Sequence, residues 1–274
     1  MFTLNCKGKL LTLDKPVVMG IINATPDSFY KGNIDDDILA LAGSMLAAGA
    51  AIIDIGGQST KPGSERITAE QELQRVLPVI ACVLDRFPDT IISIDTYSST
   101  VAAAAVQAGA LMVNDISAGT MDDQMLSTVA GLQVPYICMH MQGTPDNMQK
   151  DPHYDDVTKE VLDFFIAKIE ACKTAGITDI IIDPGFGFGK TIAHNFSLLK
   201  KLETLLILNK PVLAGISRKS TIYKTLQTTA ADALNGTTVL NTMALMNGAS
   251  LLRVHDVKEA QEAITLFNAY KKAP

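Results

Sequence analysis

Eight short apolar runs alternate with segments of helical period along this chain, and that alternation predicts a (β/α)8 TIM barrel, an α/β fold, behind an N-terminal β-hairpin. Two further observations agree. The length of 274 residues is ordinary for one such barrel. The apolar runs also exit onto polar residues, as active sites of this fold require. A doubly wound open sheet is the rival architecture, but it usually carries a Gly-x-Gly-x-x-Gly turn after an early strand, and none is present. No low-complexity tract, long charge block or linker-like shift divides residues 1–274, which read as one domain.

The elements follow in order. Phe2–Cys6 and Lys9–Leu13 flank Lys7-Gly8 and predict the hairpin. Val17–Ile22 is the first buried strand, followed by a helix over Asp35–Ala48 that Gly49 closes. Ala51–Ile55 and Ala69–Phe87 make the second pair. Ile91–Asp95 precedes an alanine-rich helix, Ser98–Ala108, capped by Ser98 and ended by Gly109. Leu111–Asn114 leads to a helix near Met121–Ala130, and Pro135–His140 to a long polar loop and the amphipathic Val157–Ala175. Asp179–Asp183 is the sixth strand, with a helix over Phe196–Leu206. Val212–Ile216 is the seventh, with a helix from about Ala230 to Met246. Ser250–Val254 is the eighth, and Val257–Tyr270 closes the chain.

The sixth strand opens the most informative stretch, Asp183-Pro184-Gly185-Phe186-Gly187-Phe188-Gly189-Lys190. Pro184 stops the ladder by removing a donor. Glycine at every second position lets the backbone turn sharply and approach a ligand closely, while the phenylalanines offer flat apolar walls. A capping Asp before a flexible turn is the plainer alternative.

Composition excludes several classes. A net charge of −6 argues against a nucleic-acid surface. No apolar run is long enough for a membrane span, and the N-terminus lacks the plan of a signal peptide. Cys6, Cys82, Cys138 and Cys172 stand far apart without metal-type pairing, which fits buried thiols in a reducing, cytoplasmic setting.

In a barrel the strand exits converge on one rim. There stand Asn23, Gln58 to Lys61, Asp95, Asn114-Asp115, His140, Asp183, Ser217 to Ser220, Arg253 and His255. For any one of them a helix cap or a solvated loop explains as much, and for Asp115 and His140 that is the preferred reading. Arg253, His255, Lys219 and Lys61 form a cationic group suited to a polyanion such as a diphosphate. Asp95, Asn114 and Asp183 supply acceptors and one amide, suited to a flat heterocycle bearing several N–H donors. Asn23 offers a neutral hard oxygen for a cation whose shell phosphate completes. No zinc pattern, Gly-x-Ser-x-Gly elbow or Walker A loop is present.

Assembled, these strings resemble the dihydropteroate synthase family over about Val18 to Val257. They read Met19 to Phe29, Gly56 to Gly63, Ser93 to Thr96, Val113 to Ile116, Met139 to Gly143, Asp183 to Lys190, Ser217 to Ser220 and Arg253 to Val257. The resemblance implies that 6-hydroxymethyl-7,8-dihydropterin diphosphate and p-aminobenzoate are joined to 7,8-dihydropteroate and pyrophosphate, with Mg2+ and as a homodimer. It implies that Asp95, Asn114, Asp183 and Lys219 hold the pterin, with Ile116 and Met139 packed near it and Arg253 on its face. Asn23, Arg253 and His255 would meet the diphosphate, Asn23 through Mg2+. Thr60, Lys61, Pro62, Phe188 and Ser220 would form the p-aminobenzoate side. Catalysis would fall to Asp95, Asp183, Lys219, Arg253 and His255. Two departures stand out: Lys61 where the family usually has Arg, and Tyr30-Lys31-Gly32 where many members read small-Asp-Gly-Gly. Both bear on p-aminobenzoate and its sulfonamide mimics. A methyltetrahydrofolate-binding barrel shares the fold and the pterin acids but should lack the Ser-Arg-Lys-Ser and Arg-Val-His-Asp strings. A degenerate, purely regulatory barrel is disfavoured by the intact polar exits.

Overall fold

The computed structural model describes residues 1–25, 34–59 and 66–274. It opens with β1 (Phe2–Cys6) and β2 (Lys9–Leu13), an antiparallel hairpin. Its two turn residues, Lys7 and Gly8, both have positive φ (50° and 93°), and Asn5 Oδ1 accepts the Gly8 N–H at 2.6 Å. Next come β3 (Val17–Asn23), α1 (Ile34–Ala47), β4 (Ala50–Gly56), α2 (Ala69–Arg86), β5 (Ile91–Asp95) and α3 (Ser99–Gln107). β6 (Met112–Asp115), α4 (Met125–Leu132), β7 (Tyr136–Met139), α5 (Val157–Ala175), β8 (Ile180–Asp183) and α6 (Ile192–Lys200) continue the alternation. A 3-10 helix (Leu202–Leu208), β9 (Leu213–Ala214), α7 (Ser220–Thr225), α8 (Leu234–Met246), β10 (Leu251–Val254) and α9 (Val257–Lys272) complete it.

β3 to β10 lie parallel in the order β8-β7-β6-β5-β4-β3-β10-β9, and a bridge between Ile182 and Val212 joins the two ends. The eight-stranded α/β barrel and the preceding hairpin are therefore as the alternation predicts. Local boundaries differ where the sequence signal is weak. β9 holds two residues where five were expected: only Leu213 and Ala214 pair with β10, and the chain soon turns at Ser217 and the left-handed Arg218 (φ 53°). α6 starts earlier than expected because Thr191 caps His194 reciprocally, with a histidine in the place usually held by Glu or Gln. The short α7 carries β-branched residues and no apolar period, and it was not foreseen.

Side chains on a strand alternate, so every second residue points into the barrel. The lowest inward tier takes one residue from each strand: Met19, Ile52, Ile91, Met112, Ile137, Ile181, Leu213 and Leu251. Leu4, Cys6 and Leu13 of the hairpin pack beneath them and seal that end. Asp179 Oδ2 ties the hairpin down by accepting the Asn5 N–H at 2.7 Å. The residues between, such as Val18, Ile53, Ile92, Val113, Cys138 and Ile182, face the helices and join the main core. Two positions above the floor, the same rule brings Ile21, Asp54, Ser93, Asn114, Met139, Asp183, Gly215 and Arg253 to the interior. The floor thus fixes which residues form the next tier.

The glycine-rich loop after β8 is packed against protein backbone at Gly185 and Gly189, which corrects the expectation that this close approach is to a ligand, while Gly187 faces the Lys219 side chain. Gly185 sits at φ 68°, and a Cβ there would stand 1.9 Å from the His140 carbonyl oxygen. Lys190 is buried beneath this loop, its Nζ 3.1 and 3.0 Å from the carbonyls of Gly185 and Phe188 and 2.9 Å from His140 Nδ1. Gly185→Ala should cost about 3 kcal/mol or more, since both the backbone conformation and the backbone contact forbid it. Denaturant unfolding checks this, and an unchanged midpoint would contradict the packing described.

Candidate active site

Above the apolar floor the interior turns polar. Asp54 is fully buried and its Oδ2 accepts from two neighbours, Arg253 Nε at 2.6 Å and Asn114 Nδ2 at 3.0 Å. Arg253 reaches on through Nη2 to Asp95 Oδ2 at 2.5 Å. One guanidinium therefore bridges two carboxylates from β4 and β5. Across the barrel, Asp183 Oδ1 accepts the Gly185 N–H at 2.8 Å. Its Oδ2 and Lys219 Nζ lie 3.7 and 3.8 Å from the point where a Cβ on Gly215 would stand. Glycine at 215 therefore keeps open the space between this acid and this amine. Lys219 Nζ also donates to the Phe186 carbonyl at 2.6 Å and stands 4.6 Å over the Phe188 ring.

Beside this polar ring Ile116, Met139, Met148 and Phe188 form a small apolar cluster against Tyr97 and Met141. A flat ring with polar edges would meet acceptors on one side and this cluster on the other. The rim above carries Ser217 and His255, with Ser217 Oγ 3.0 Å from His255 Nδ1. Arg218 clasps Asp256 with two contacts of 2.9 Å, fixing the turn after β9 to the start of α9. Ser220 begins α7, half-buried, and Asn23 is exposed at the end of β3. Asp95, Asn114, Asp183, Lys219 and Arg253 are thus brought to one mouth, with His255, Ser220 and Asn23 at its edge. Thr60, Lys61 and Pro62, and the stretch with Tyr30-Lys31-Gly32, lie outside the described residues.

Electrostatics refine the picture. Burial, helped by the charges of Asp54, Glu72 and Asp115, raises Asp95 to about 7 against the pull of Arg253. Burial raises Asp183 as well, opposed by Lys219. Lys219 falls to about 8 through burial and the Arg253 charge, with Asp183 holding it up. His255 keeps an exposed edge, yet the protein packed around the rest and the Arg253 charge lower it to about 4. At neutral pH it is therefore an uncharged donor or acceptor, which corrects its placement among the cations.

Two exits serve the fold. Asp115 accepts from Ser117 N, Ser117 Oγ, Gly119 N and Tyr136 Oη, each at 2.7 Å, so its acceptor capacity is spent. His140 meets Lys190 and sets its ring edge-on to Phe164 at 4.8 Å. Two residues escaped the sequence reading. Lys190 closes the glycine loop from below. Asp54 stands two positions after Ile52, as Asn114 follows Met112 and Asp183 follows Ile181, and that shared spacing was the available signal.

A dianion beside a neutral imidazole favours its protonation, because the nearby negative charge raises its pKa. Pyrophosphate binding at pH 6 should therefore draw more protons into the wild type than into His255→Gln. Calorimetry in buffers of differing ionisation enthalpy measures the difference, and equal proton uptake would remove His255 from the anion site.

Comparison with known proteins places this site in a family. The model of the pterin binding enzyme family matches residues 19–255. The chain is 43% identical over 268 residues to the dihydropteroate synthase of Escherichia coli, covering 96% of this chain and 94% of that protein. The Xanthomonas albilineans dihydropteroate synthase with 4-aminobenzoic acid superimposes with a TM-score of 0.93, 42% identity and 99% of each chain covered. The same organism's enzyme in complex with 7,8-dihydropteroate gives 0.89 at 40% identity, with 100% of each chain covered. With the acid, amide and amine ring in the mouth of an eight-stranded barrel, these matches show that the chain belongs to the pterin-binding dihydropteroate synthase family.

Proposed function

We infer that this chain, residues 1–274 acting as one pterin-binding barrel, is a transferase that joins 6-hydroxymethyl-7,8-dihydropterin diphosphate to p-aminobenzoate. The products are 7,8-dihydropteroate and pyrophosphate, a step of folate synthesis. The observation that carries this reading is the polar tier over the apolar floor in a chain of this family.

Asp183 presents its Oδ2 to the N–H donors of the pterin, and Asn114 offers an amide on the same side of the mouth. Lys219, lowered to about 8 but still mostly protonated at neutral pH, donates to the ring's acceptor edge. Ile116, Met139 and Phe188 pack against the heterocycle. Arg253 has five N–H groups and spends two on Asp54 and Asp95, leaving three for the ring face and the diphosphate. His255 and Asn23 line the diphosphate end. Phe188 and Ser220 border the p-aminobenzoate side, with Thr60, Lys61 and Pro62 assigned there from the family resemblance.

In the reaction the C–O bond between the pterin methylene and the diphosphate breaks, and its electron pair leaves with pyrophosphate. The methylene carbon becomes electron-poor, and the carboxylates of Asp95 and Asp183 favour that charge as it develops. The neutral aryl amine gives its lone pair to the carbon and releases a proton. The sequence offers no Ser, Cys or His nucleophile arrangement, and this route requires none.

Among the described residues no group of three His, Cys, Asp or Glu converges as a metal site. A single exposed amide oxygen at Asn23 nonetheless fits Mg2+, which keeps several waters and takes phosphate oxygens readily. Bound with the diphosphate, Mg2+ would neutralise charge on the leaving group.

All four cysteines are thiols and no described helix is long and apolar enough to cross a membrane, which accords with the cytoplasmic location we propose. The proposed homodimer has a suitable face in the exposed Val239, Met243 and Met246 of α8 and Leu266 and Tyr270 of α9. Of these, Met246, Leu266 and Tyr270 border a groove of about 840 Å³ between the two helices. Sedimentation velocity should find a dimer that Met243→Glu dissociates, and a wild-type monomer would dismiss it.

Purified protein given both substrates and Mg2+ should release pyrophosphate and dihydropteroate. Binding of methyltetrahydrofolate without turnover would favour the methyl-carrier barrel instead. Asp183→Asn turns one acceptor toward the pterin into a donor and should weaken pterin binding by about 2–4 kcal/mol, with the fold retained. Unchanged affinity by calorimetry would take Asp183 out of the site.

A further inference from the structure

Asp54 lies deeper than every described residue given a substrate role above. It is 0% exposed, whereas the side chain of Asp95 keeps 10% of its surface and that of Arg253 18%. It comes from β4, while its two partners come from β6 and β10. β5 separates it from Asn114, and β3 from Arg253, in the order of the sheet. The contacts therefore cross the lumen between alternate strands, as residues of one barrel tier do.

We propose that Asp54 is a positioning residue of this site, fixing the plane of the Arg253 guanidinium and the orientation of the Asn114 amide, and acting on the substrates only through them. The proposal rests on the roles given to Arg253 and Asn114 above.

The chemistry of each contact supports it. An arginine side chain has several rotatable bonds, and one anchor at its tip leaves its plane free to swing. Here the Nε–H is held by Asp54 and an Nη2–H by Asp95, so two in-plane N–H bonds aimed at separate carboxylates fix the plane. Asp95 sits at the mouth and must also serve the pterin. Asp54 is enclosed, so its hold on Nε persists when the ligand draws on Asp95.

For Asn114 the effect concerns polarity. Asp54 Oδ2, which accepts from the Arg253 Nε–H, also accepts from the Asn114 amide nitrogen at 3.0 Å. The Asn114 carbonyl oxygen is then turned away from Asp54 and offered as an acceptor. With a neutral amide at position 54 that constraint is lost, because an asparagine can face its partner either way. Asp54 Oδ1 is itself buried without a hydrogen-bond partner, so the carboxylate's contacts are concentrated on the single oxygen that both neighbours share.

The test is a double-mutant cycle with a stability control. Dissociation constants for Mg2+-pyrophosphate and for 6-hydroxymethylpterin are measured by calorimetry in wild type, Asp54→Asn, Arg253→Ala and the double variant. Thermal melting is followed in each, and Asp54→Ser replaces Asp54→Asn if the latter does not fold. Asp54→Asn should weaken both ligands by about tenfold or more, through a misplaced guanidinium and an unfixed amide. In the Arg253→Ala background the same change should alter pyrophosphate affinity by less than about twofold, because the group it positions is gone. It should still weaken the pterin there, through Asn114.

Equal loss of pyrophosphate affinity in both backgrounds would overturn the proposal while leaving the site reading intact. So would an Asp54→Asn variant that binds both ligands as the wild type does. If Arg253→Ala alone leaves pyrophosphate binding unchanged, the role given to Arg253 fails first and the proposal falls with it.

Discussion

A closed ring of eight parallel strands leaves room inside for stacked tiers of side chains, and the strand period of two decides which residues enter them. Everything at the mouth of this barrel depends on that constraint. Met19, Ile52, Ile91, Met112, Ile137, Ile181, Leu213 and Leu251 fill the lowest tier, and the hairpin stops it from below. A step of two residues then lifts Asp54, Asn114, Asp183 and Arg253 into the tier above. A slip of one residue in β4, β6 or β8 would send its polar residue to the helix side and Ile53, Val113 or Ile182 into the site. The apolar floor is thus part of the binding site's geometry as well as part of the core.

Polarity in such a tier is tolerated only where groups satisfy one another. Arg253 is the centre of that compensation, shared between Asp54 and Asp95. Asp95 nevertheless stays at about 7, since burial and the acids of Asp54, Glu72 and Asp115 outweigh the one cation beside it. Lys219 is lowered while Asp183 is raised, so both stand closer to neutrality than they would in water. A site arranged this way has acceptors and donors under-used by the protein. In the reading proposed above, a heterocycle with N–H groups along one edge, bearing a diphosphate, would supply those partners. Lys190 plays a separate part, satisfying the inward carbonyls of the glycine loop and so holding Phe188 and the Phe186 carbonyl where Lys219 meets them.

Much of this was legible in the sequence. Strand and helix alternation set the barrel, Lys7-Gly8 the hairpin, and the polar exits marked Asp95, Asn114, Asp183, Lys219 and Arg253. Asp54 was passed over because Ile55 follows it, so it reads as the interior of a strand and not as an exit. The spacing from the floor residue identifies it, but only once the floor is known. The glycines of 185–189 were given to a ligand because glycine permits close approach of any backbone. Here the approaching backbone is that of His140 and Gln142. His255 was counted as a cation by type, whereas its charge depends on neighbours brought together by folding. β9 and α7 were misjudged because their pairing and packing are non-local, and two strand residues or a six-residue helix leave little local pattern.

The central claim is that the second inward tier is where the heterocycle binds. A crystal structure with an unreactive analogue of the pterin diphosphate tests it most directly. The account predicts ring N–H groups within hydrogen-bond distance of Asp183 Oδ2, Asn114 beside them, Arg253 against the ring face with its contact to Asp54 kept, and an undisturbed apolar floor. A heterocycle bound away from Asp183 and Asn114, or an Arg253 released from Asp54 by the ligand, would contradict it.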